Sequence, residues 1–266
     1  MCDISPGRNL YLRKMRNNRR MIRFCQIFIL VAVVFLWEFA ARYGLIDSFI
    51  MSQPTRIWRT LANFRNNNLL LHIGITTLET IIGFTLGVII GLVVALVLWW
   101  SKFLSKVFDP YLVVINALPK IALGPVIIIW VGAGMQAVIV MALAISLVVT
   151  IMEMLNGFKN TNAELTKMAH TFGANKLQTF IKIVFPSNLA TLFSCLKINI
   201  GLSLVGVIAG EFLVSRAGLG YLIVYGGQVF QMDLVMTSVI ILAVLAAVLY
   251  GLVAALERVV MRVCYK

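Results

Sequence analysis

Long apolar stretches alternate with short polar ones along this chain. Windows of about 20 apolar residues, the length needed to cross roughly 30 Å of hydrocarbon, recur along the sequence. They lie at residues 24–43, 76–100, 111–133, 135–156, 189–213 and 234–256. The pattern therefore predicts an all-α membrane protein with six transmembrane helices. The first window is long for a signal peptide and runs into charged Glu38 and Arg42, so we expect it to stay in the mature chain.

The polar stretches between these windows divide the chain into regions. The predicted organisation is a basic N-terminus at 1–23, a first transmembrane helix at 24–43, an outer loop at 44–75, a transmembrane core at 76–256 with a polar loop at 158–187, and a C-terminus at 257–266. In the outer loop, Pro54 marks the expected start of a short helix, because proline is favoured at the first helical position.

Composition and charge agree with a membrane protein and predict its orientation. Hydrophobic residues make up 61% of the chain and charged residues 12%, which lies far from the composition of a soluble domain. Sixteen of the 23 Lys and Arg residues fall in the termini and loops of one predicted side, and five on the other. The positive-inside rule then places both termini and residues 158–187 in the cytoplasm. This topology accounts for the net charge of +13 without a nucleic-acid partner, and residues 8–23 are interpreted as a topology anchor that faces anionic lipid. An RNA-binding arm at 8–23 is the alternative.

Candidate catalytic and metal-binding chemistry is sparse in the sequence. The four cysteines show no CxxC spacing, and His72 and His170 are predicted to lie on opposite sides of the membrane. No nucleotide-binding P-loop, HExxH or GxSxG motif occurs. We therefore expect no catalytic residue, no metal site and no cofactor in this chain.

The segment 161–186 is amphipathic, unlike the rest of the core. Thr161 and Glu164 have capping-box spacing, and the first helix is expected to end at Gly173, which suits a left-handed cap. Apolar residues of this helix recur on one face at Leu165, Met168, Ala169 and Phe172, and those of a second helix at Leu177, Phe180, Ile181 and Val184. Pro186 is expected to end the second helix. Both helices are too short to span a membrane, so they lie against its face or in the groove of a partner.

Residues 168–186, "MAHTFGANKLQTFIKIVFP", resemble the cytoplasmic EAA loop of ATP-binding-cassette (ABC) importer permeases. The matching positions are Ala169, Gly173, Ile183 and Pro186. Lys167 and Met168 replace the usual Glu and first Ala, and Phe185 replaces a Leu; Glu164, one turn earlier, is the candidate replacement for the missing acid. The stretches 117–132, 196–213, 217–223 and 232–242 are similar in order and spacing to the nitrate, sulfonate and taurine group of these permeases.

This resemblance implies a type I ABC importer permease fold with cytoplasmic coupling helices, in the inner membrane of a bacterium. The chain would form the translocation pathway for a small anionic or zwitterionic solute, delivered by an extracytoplasmic solute-binding protein. Partner ATPase subunits would bind ATP and Mg, and a second permease copy would complete a homodimer. The implied ATPase-coupling residues are Glu164, Lys167, Met168, Ala169, His170, Gly173, Ile183 and Pro186. An ion-gradient-driven secondary transporter is the alternative, and a membrane scaffold or enzyme is a third class.

Polar residues inside the spans are candidates for the translocation pathway. Lys120 lies between Pro119 and Pro125, where the third span is expected to be broken. Lys197 lies about two turns into the fifth span, and both lysines have the alternative of snorkelling to lipid phosphates. Glu211 is expected to make a structural hydrogen bond or a gate contact. The remaining candidates for lining the pathway are Asn116, Ser203 and Gln228.

Three glycines of one span and three acidic residues are expected to have structural roles. Gly83, Gly87 and Gly91 recur every four positions and predict close helix packing within the subunit, with a dimer seam as the alternative. Three further acidic residues, which fall near predicted span ends or on packed faces, are interpreted as satisfied structural groups: Glu38, Glu79 and Glu153.

Overall fold

The computed structural model describes residues 6–62 and 68–264, and every regular element in these ranges is helical. In chain order, the α-helices are α1 (Pro6–Arg42), α2 (Ser48–Met51), α3 (Pro54–Ala62), α4 (Leu69–Trp100), α5 (Lys102–Ala117), α6 (Gly124–Val131), α7 (Met135–Lys159), α8 (Ala163–Thr171), α9 (Lys176–Thr179), α10 (Phe185–Ser187), α11 (Leu189–Val214), α12 (Leu219–Gln228) and α13 (Met232–Cys264).

The six predicted spans are confirmed among the described residues. Five continuous helices are long and apolar enough to cross a membrane, and the bent pair of α5 and α6 makes a sixth span. Some helices begin earlier than their apolar windows: α4 begins at Leu69 instead of residue 76, and α5 at Lys102 instead of 111, while α7 and α11 begin where their windows do. A hydropathy window marks the part of a helix that crosses hydrocarbon, whereas backbone hydrogen bonding continues the helix into the polar region.

The outer loop is shorter than predicted, because residues 69–75, which were expected in the loop, belong to helix α4. Pro54 is the first residue of α3, as its position predicted. Ile57 of this helix is buried, while Trp58 is 74% exposed. Glu38 of α1 holds α3 in place, since its carboxylate accepts hydrogen bonds from the Thr55 amide and hydroxyl, both at 3.1 Å. This confirms Glu38 as a hydrogen-bonded structural group.

The third span is broken where its prolines predicted. Leu118 and Pro119 follow α5, a 3₁₀ turn covers Lys120–Leu123, and the axes before and after the break differ by 86°. Leu118 is extended, with ψ of 137°, because the ring of a following proline disfavours the helical conformation. The break places Lys120 at the corner of the span.

Helix α7 is packed between α4 and α11. The glycines of α4 face it directly: a Cβ added at Gly83 would lie 2.7 Å from the Ala142 Cβ, and one at Gly91 would lie 2.6 Å from the Thr150 Cβ. Gly87 is in equally close contact with Ser146. The glycine stripe of α4 therefore packs within the subunit, as predicted.

Helix α11 contacts the backbone of α7 itself. A Cβ at Gly206 would lie 2.5 Å from the Ala142 Cα, and one at Gly210 would lie 2.9 Å from the Val138 Cα. Ala142 and Val138 are fully buried. Because these neighbours are backbone atoms, a larger residue at either glycine would have to move the whole helix. Helix α7 is thus the centre of the described bundle.

This packing predicts a sharp difference between two glycines of the same helix. Gly206→Ala should destabilise the protein by about 1–3 kcal/mol, because its methyl group would overlap the backbone of α7. The control is Gly201→Ala, where a Cβ would meet no atom within 4 Å. It should be neutral or stabilising by up to about 1 kcal/mol, since alanine is the better helix former. Thermal unfolding in detergent measures both variants, and equal stability of the two would contradict the packing account.

Candidate functional site

The amphipathic segment is closed at its two ends by one buried side chain. The Nδ2 atom of Asn188 donates to the Thr161 hydroxyl and to the Val184 carbonyl, both at 2.8 Å. Thr161 follows α7 and Asn188 precedes α11, so these bonds join the ends of the two central spans. We call residues 161–188 the coupling module, after the role that the resemblance implies for them.

The first helix of the coupling module, α8, is capped by a residue other than the predicted one. The Asn162 side chain accepts from the Glu164 amide at 2.8 Å. The predicted capping box of Thr161 and Glu164 is wrong, because the Thr161 hydroxyl is engaged with Asn188. A capping box occurs instead at the second helix, where Asn175 and Gln178 exchange hydrogen bonds of 2.8 and 2.9 Å.

The turn between the two helices of the module depends on Gly173. Its φ is +77°, in the left-handed region. The Ala174 amide donates to the Ala169 carbonyl, and the Gly173 amide donates to the His170 carbonyl, each at 3.0 Å. These two bonds form a Schellman motif. A Cβ at Gly173 would meet no atom within 4 Å, so glycine is needed here for its backbone conformation and not for space.

The second helix continues beyond the proline expected to end it. After α9, residues Phe180–Val184 form a π-helical turn in which the Phe185 amide donates to the Phe180 carbonyl. Pro186 then lies in the first turn of α10, which reaches Ser187. The second helix therefore ends one residue after Pro186, and Asn188 separates it from α11.

Aromatic contacts fix the second helix to the transmembrane bundle. Phe180 is 9% exposed, and its ring centroid lies 5.1 Å from that of Trp99 and 5.3 Å from that of Phe158. The ammonium group of Lys176 lies 5.6 Å from the Trp99 ring and 5.4 Å from the Trp100 ring. It also donates to the Trp100 carbonyl, which is at the C-terminus of α4, where the helix dipole favours a cation.

The coupling module leaves an apolar surface uncovered. Five side chains from both helices, which we call the docking surface, are exposed by 40–82%: Leu165, Met168, Phe172, Leu177 and Ile181. The two apolar residues Ala169 and Val184 face the bundle and are 7% and 0% exposed. Of the predicted coupling residues, Glu164, Lys167, Met168, His170, Gly173 and Pro186 are exposed, Ile183 is half-buried and Ala169 is buried. An apolar surface flanked by polar residues is typical of an interaction site.

Two of the predicted pathway residues contact each other at the break in the third span. The Lys120 ammonium donates to the backbone and side-chain oxygens of Asn116, both at 3.2 Å. Gln228 lies apart, exposed at the end of α12. Ser203 is fully buried, and its hydroxyl has no partner among the described residues.

Lys197 is paired with an acidic residue. Neither of its two predicted roles, snorkelling to lipid phosphates or lining the pathway, included such a partner. Its ammonium forms an ion pair of 2.7 Å with the Glu257 carboxylate of α13. Both side chains are about a quarter exposed, at 22% and 24%. Lys197 therefore joins α11 to α13 in this structure, where lipid phosphate or pathway solute was expected.

Glu211 belongs to a buried polar cluster that the sequence analysis did not identify. Its carboxylate accepts from the Thr76 hydroxyl at 2.6 Å and from the Gly220 amide at 2.5 Å. The Thr76 oxygen in turn accepts from the Leu219 amide at 2.8 Å, and His72 Nδ1 accepts from the Gly218 amide at 2.9 Å. The cluster thus satisfies the first amides of α12, which have no partner inside that helix.

The acidic residue next to this cluster, Glu79, is satisfied only in part, through a side-chain hydrogen bond with Glu211. Glu79 is 1% exposed, and its Oε2 atom has no hydrogen-bond partner among the described residues. Glu153 is exposed, so its carboxylate lies outside the packed interior of the bundle. A sequence signal for the cluster was present, since the polar residues His72, Thr76 and Thr80 recur every four positions along an apolar helix.

The polar cluster predicts that two neighbouring threonines differ in importance. Thr76→Val removes a hydroxyl that serves both Glu211 and Leu219, so it should cost about 1–3 kcal/mol for each buried group left unpaired. Thr80→Val is the matched control, because Thr80 is equally buried and its hydroxyl bonds only the Thr76 carbonyl of its own helix. It should cost at most about 1.5 kcal/mol. Unfolding temperatures in detergent compare them, and a larger loss for Thr80→Val would refute this role.

Comparison with known proteins agrees with this geometry. Residues 87–262 match the family described as binding-protein-dependent transport system inner membrane component. A probable ABC transporter permease protein of Haemophilus influenzae is 31% identical over 86% of this chain and 94% of its own length. The formylaminopyrimidine transport permease protein ThiX of Halalkalibacterium halodurans is 26% identical over 73% of this chain and 77% of its own length. The putative aliphatic sulfonates transport permease protein SsuC of Bacillus subtilis is 25% identical over 95% and 92%.

A solved structure shares the fold. The inward-facing MetNI methionine ABC transporter contains a chain that matches with a TM-score of 0.66 and 19% sequence identity. The match covers 74% of this chain and 98% of that one. At this identity the similarity shows the fold, which is that of type I ABC importer permeases.

Proposed function

The chain belongs to the family of inner membrane components of binding-protein-dependent transport systems, and from this premise we propose that its coupling module docks on an ATPase subunit. It is a multi-pass permease subunit of an ABC importer and not an enzyme, because ATP hydrolysis belongs to a separate subunit. Family membership also disfavours the ion-gradient-driven alternative.

The docking surface is the observation that carries this proposal. Its apolar side chains, led by Phe172 at 82% exposed, stand on two short helices whose angle is fixed by the Gly173 turn. A helix pair of this kind suits the groove of a partner, where apolar residues spaced three and four apart serve as anchors. ATP and Mg would bind in that partner.

The contacts of the second helix support a mechanical role for the module. Phe180 and Lys176 join it to the ends of α4 and α7, and Asn188 joins it to α11. A force on the docking surface would therefore act on three central spans at once. Packed helices shift as rigid bodies between discrete arrangements, so closure of the ATPase subunits would rock the spans and open the pathway to one side at a time.

The distribution of Lys and Arg supports an orientation for the chain, and its family supports a location. We propose that both termini and the coupling module are cytoplasmic and that the membrane is the inner membrane of a bacterium. The excess of Lys and Arg at that end supports this orientation. The outer end would then carry α3 and α12, where an extracytoplasmic solute-binding protein would deliver its solute.

A second copy of the chain is proposed to complete the pathway. Asn116 is exposed on the single chain, and Lys120 beside it is half-buried. A water-filled pathway that includes this pair needs a second chain to enclose it. In a homodimer, the same surface of the second copy would form the other wall of the pathway.

The proposed solute is small and anionic or zwitterionic, with sulfonates as the leading class. The Lys120 cation at the break supports an anionic group, and the name of the Bacillus subtilis relative specifies aliphatic sulfonates. Formylaminopyrimidines are the second candidate, because the Halalkalibacterium relative is named for them.

The docking proposal predicts loss of the ATPase subunit when the most exposed aromatic residue is removed. Phe172→Ala should reduce the amount of ATPase subunit that co-purifies with the detergent-solubilised permease by about tenfold, the effect of losing one anchor of about 1.4 kcal/mol or more. Phe230→Ala is the control, since Phe230 is also well exposed, at 68%, and follows α12 at the opposite end. Equal recovery of the ATPase subunit with both variants would reject this docking surface.

The Gly173 turn gives a second test that leaves the surface side chains unchanged. Gly173→Val should uncouple the complex, because a β-branched residue strongly disfavours φ of +77°. Gly173→Asn should retain most activity, because asparagine tolerates the left-handed conformation. The measurement is ATP-driven uptake into vesicles together with recovery of inserted protein. Similar uptake by the two variants would show that the turn conformation does not matter for coupling.

A further inference from the structure

An open cavity of about 370 Å³ lies beside the coupling module, between the ends of three spans. Trp99 of α4, Lys102, Ser105, Lys106 and Asp109 of α5, and Lys159 of α7 line it. Trp99 also contacts Lys176 and Phe180 of the module. The cavity is therefore at the level where transmembrane helices end and lipid headgroups begin, and a tryptophan is typical of that level.

The charge of this cavity is positive and only partly compensated. Lys159 is paired with Asp109, with its ammonium 3.0 and 3.1 Å from the two carboxylate oxygens. Lys102 and Lys106 have no acidic partner within 4 Å among the described residues. Because they are four residues apart, they lie on the same face of α5. The lining thus carries two lysines free to bind an anion.

The position of these lysines in α5 is unfavourable unless an anion is present. Lys102 is the first residue of the helix, and the first turn contains no acidic residue. The N-terminus of a helix carries a partial positive charge, which repels a cation and attracts an anion. A bound phosphate would reverse this cost by contacting the free amides and the lysines together.

A buried hydroxyl in the cavity wall also lacks a partner. Ser105 is 4% exposed, and its Oγ atom forms no hydrogen bond with any described residue. A buried hydroxyl without a partner costs free energy, whereas a hydroxyl can donate to a phosphate oxygen. This observation is independent of the lysines and of the helix N-terminus, and it favours a ligand with acceptor atoms.

We propose that this cavity binds the phosphate of an anionic membrane lipid, held by Lys102, Lys106 and the Ser105 hydroxyl. The neighbouring surface favours a lipid over a soluble anion. Phe103, Val107 and Tyr111 follow the lysines along α5 at four-residue spacing, and they are 74%, 40% and 61% exposed. Acyl chains would extend along this apolar face while the headgroup occupies the cavity. The bound lipid would hold the ends of α4, α5 and α7 together beneath the coupling module.

The test measures lipid retention by the full-length permease. The protein is purified with equal amounts of phosphatidylglycerol and phosphatidylcholine, and the bound lipids are counted by native mass spectrometry. The intact protein should retain phosphatidylglycerol preferentially. Lys102→Gln with Lys106→Gln should lower that preference by about tenfold or more, since each lysine near an anionic lipid surface contributes a factor of about five. Arg258→Gln with Arg262→Gln, in the last turns of α13, removes the same charge elsewhere and should have little effect.

Two further measurements distinguish a specific lipid site from general attraction between opposite charges. Ser105→Ala keeps every charge and should still reduce phosphatidylglycerol retention severalfold. Inorganic phosphate at millimolar concentration should not displace the lipid. Equal losses in the α5 and α13 double variants, or an unchanged Ser105→Ala variant, would overturn the proposed site. Displacement by inorganic phosphate would show that the ligand is a soluble anion and not a lipid.

Discussion

The close contact of α7 with α4 and α11 is the constraint on which the rest of this structure depends. Lipid tails are as apolar as leucine side chains, so burial of apolar surface does little to hold helices together inside a membrane. Small residues do so instead, by letting backbones approach. Gly206 and Gly210 lie against the backbone of α7, and Gly83 and Gly91 contact its small side chains. Because α7 is fixed by both neighbours, its two ends hold defined positions at the two faces of the bundle.

At the end of the bundle that carries the coupling module, the two helices of the module have different roles. The second helix of the module is fastened to the spans through Phe180 and Lys176, while the first helix presents Phe172 to the outside. The turn at Gly173 joins them at one angle. Under the proposed docking, a partner that moved the first helix would move the spans, because the connection contains a Schellman motif and a buried aromatic contact in place of a loose loop.

At the opposite end, polar groups fix what apolar packing leaves undetermined. Thr76 and Glu211 bind the first amides of α12, so this short helix has one position relative to α4 and α11. In hydrocarbon an unpaired amide costs several kcal/mol, so such a cluster specifies a single arrangement more strongly than leucine contacts do. The structure thus uses small residues at its centre and hydrogen bonds at this end.

The sequence by itself determined the features that depend on neighbours along the chain. The six spans, the break at Pro119, the packing face of Gly83 and the turn at Gly173 are properties of local hydropathy, spacing and backbone conformation, and the structure confirms them. Tertiary structure decided which distant side chains form hydrogen bonds and ion pairs with each other. Lys197 with Glu257 and Thr76 with Glu211 join residues far apart in sequence, and Asn188 takes the Thr161 hydroxyl from its expected cap. A side chain with several possible partners forms its hydrogen bond with the partner that folding brings within about 3 Å. Helical periodicity along the sequence does not specify which partner that is.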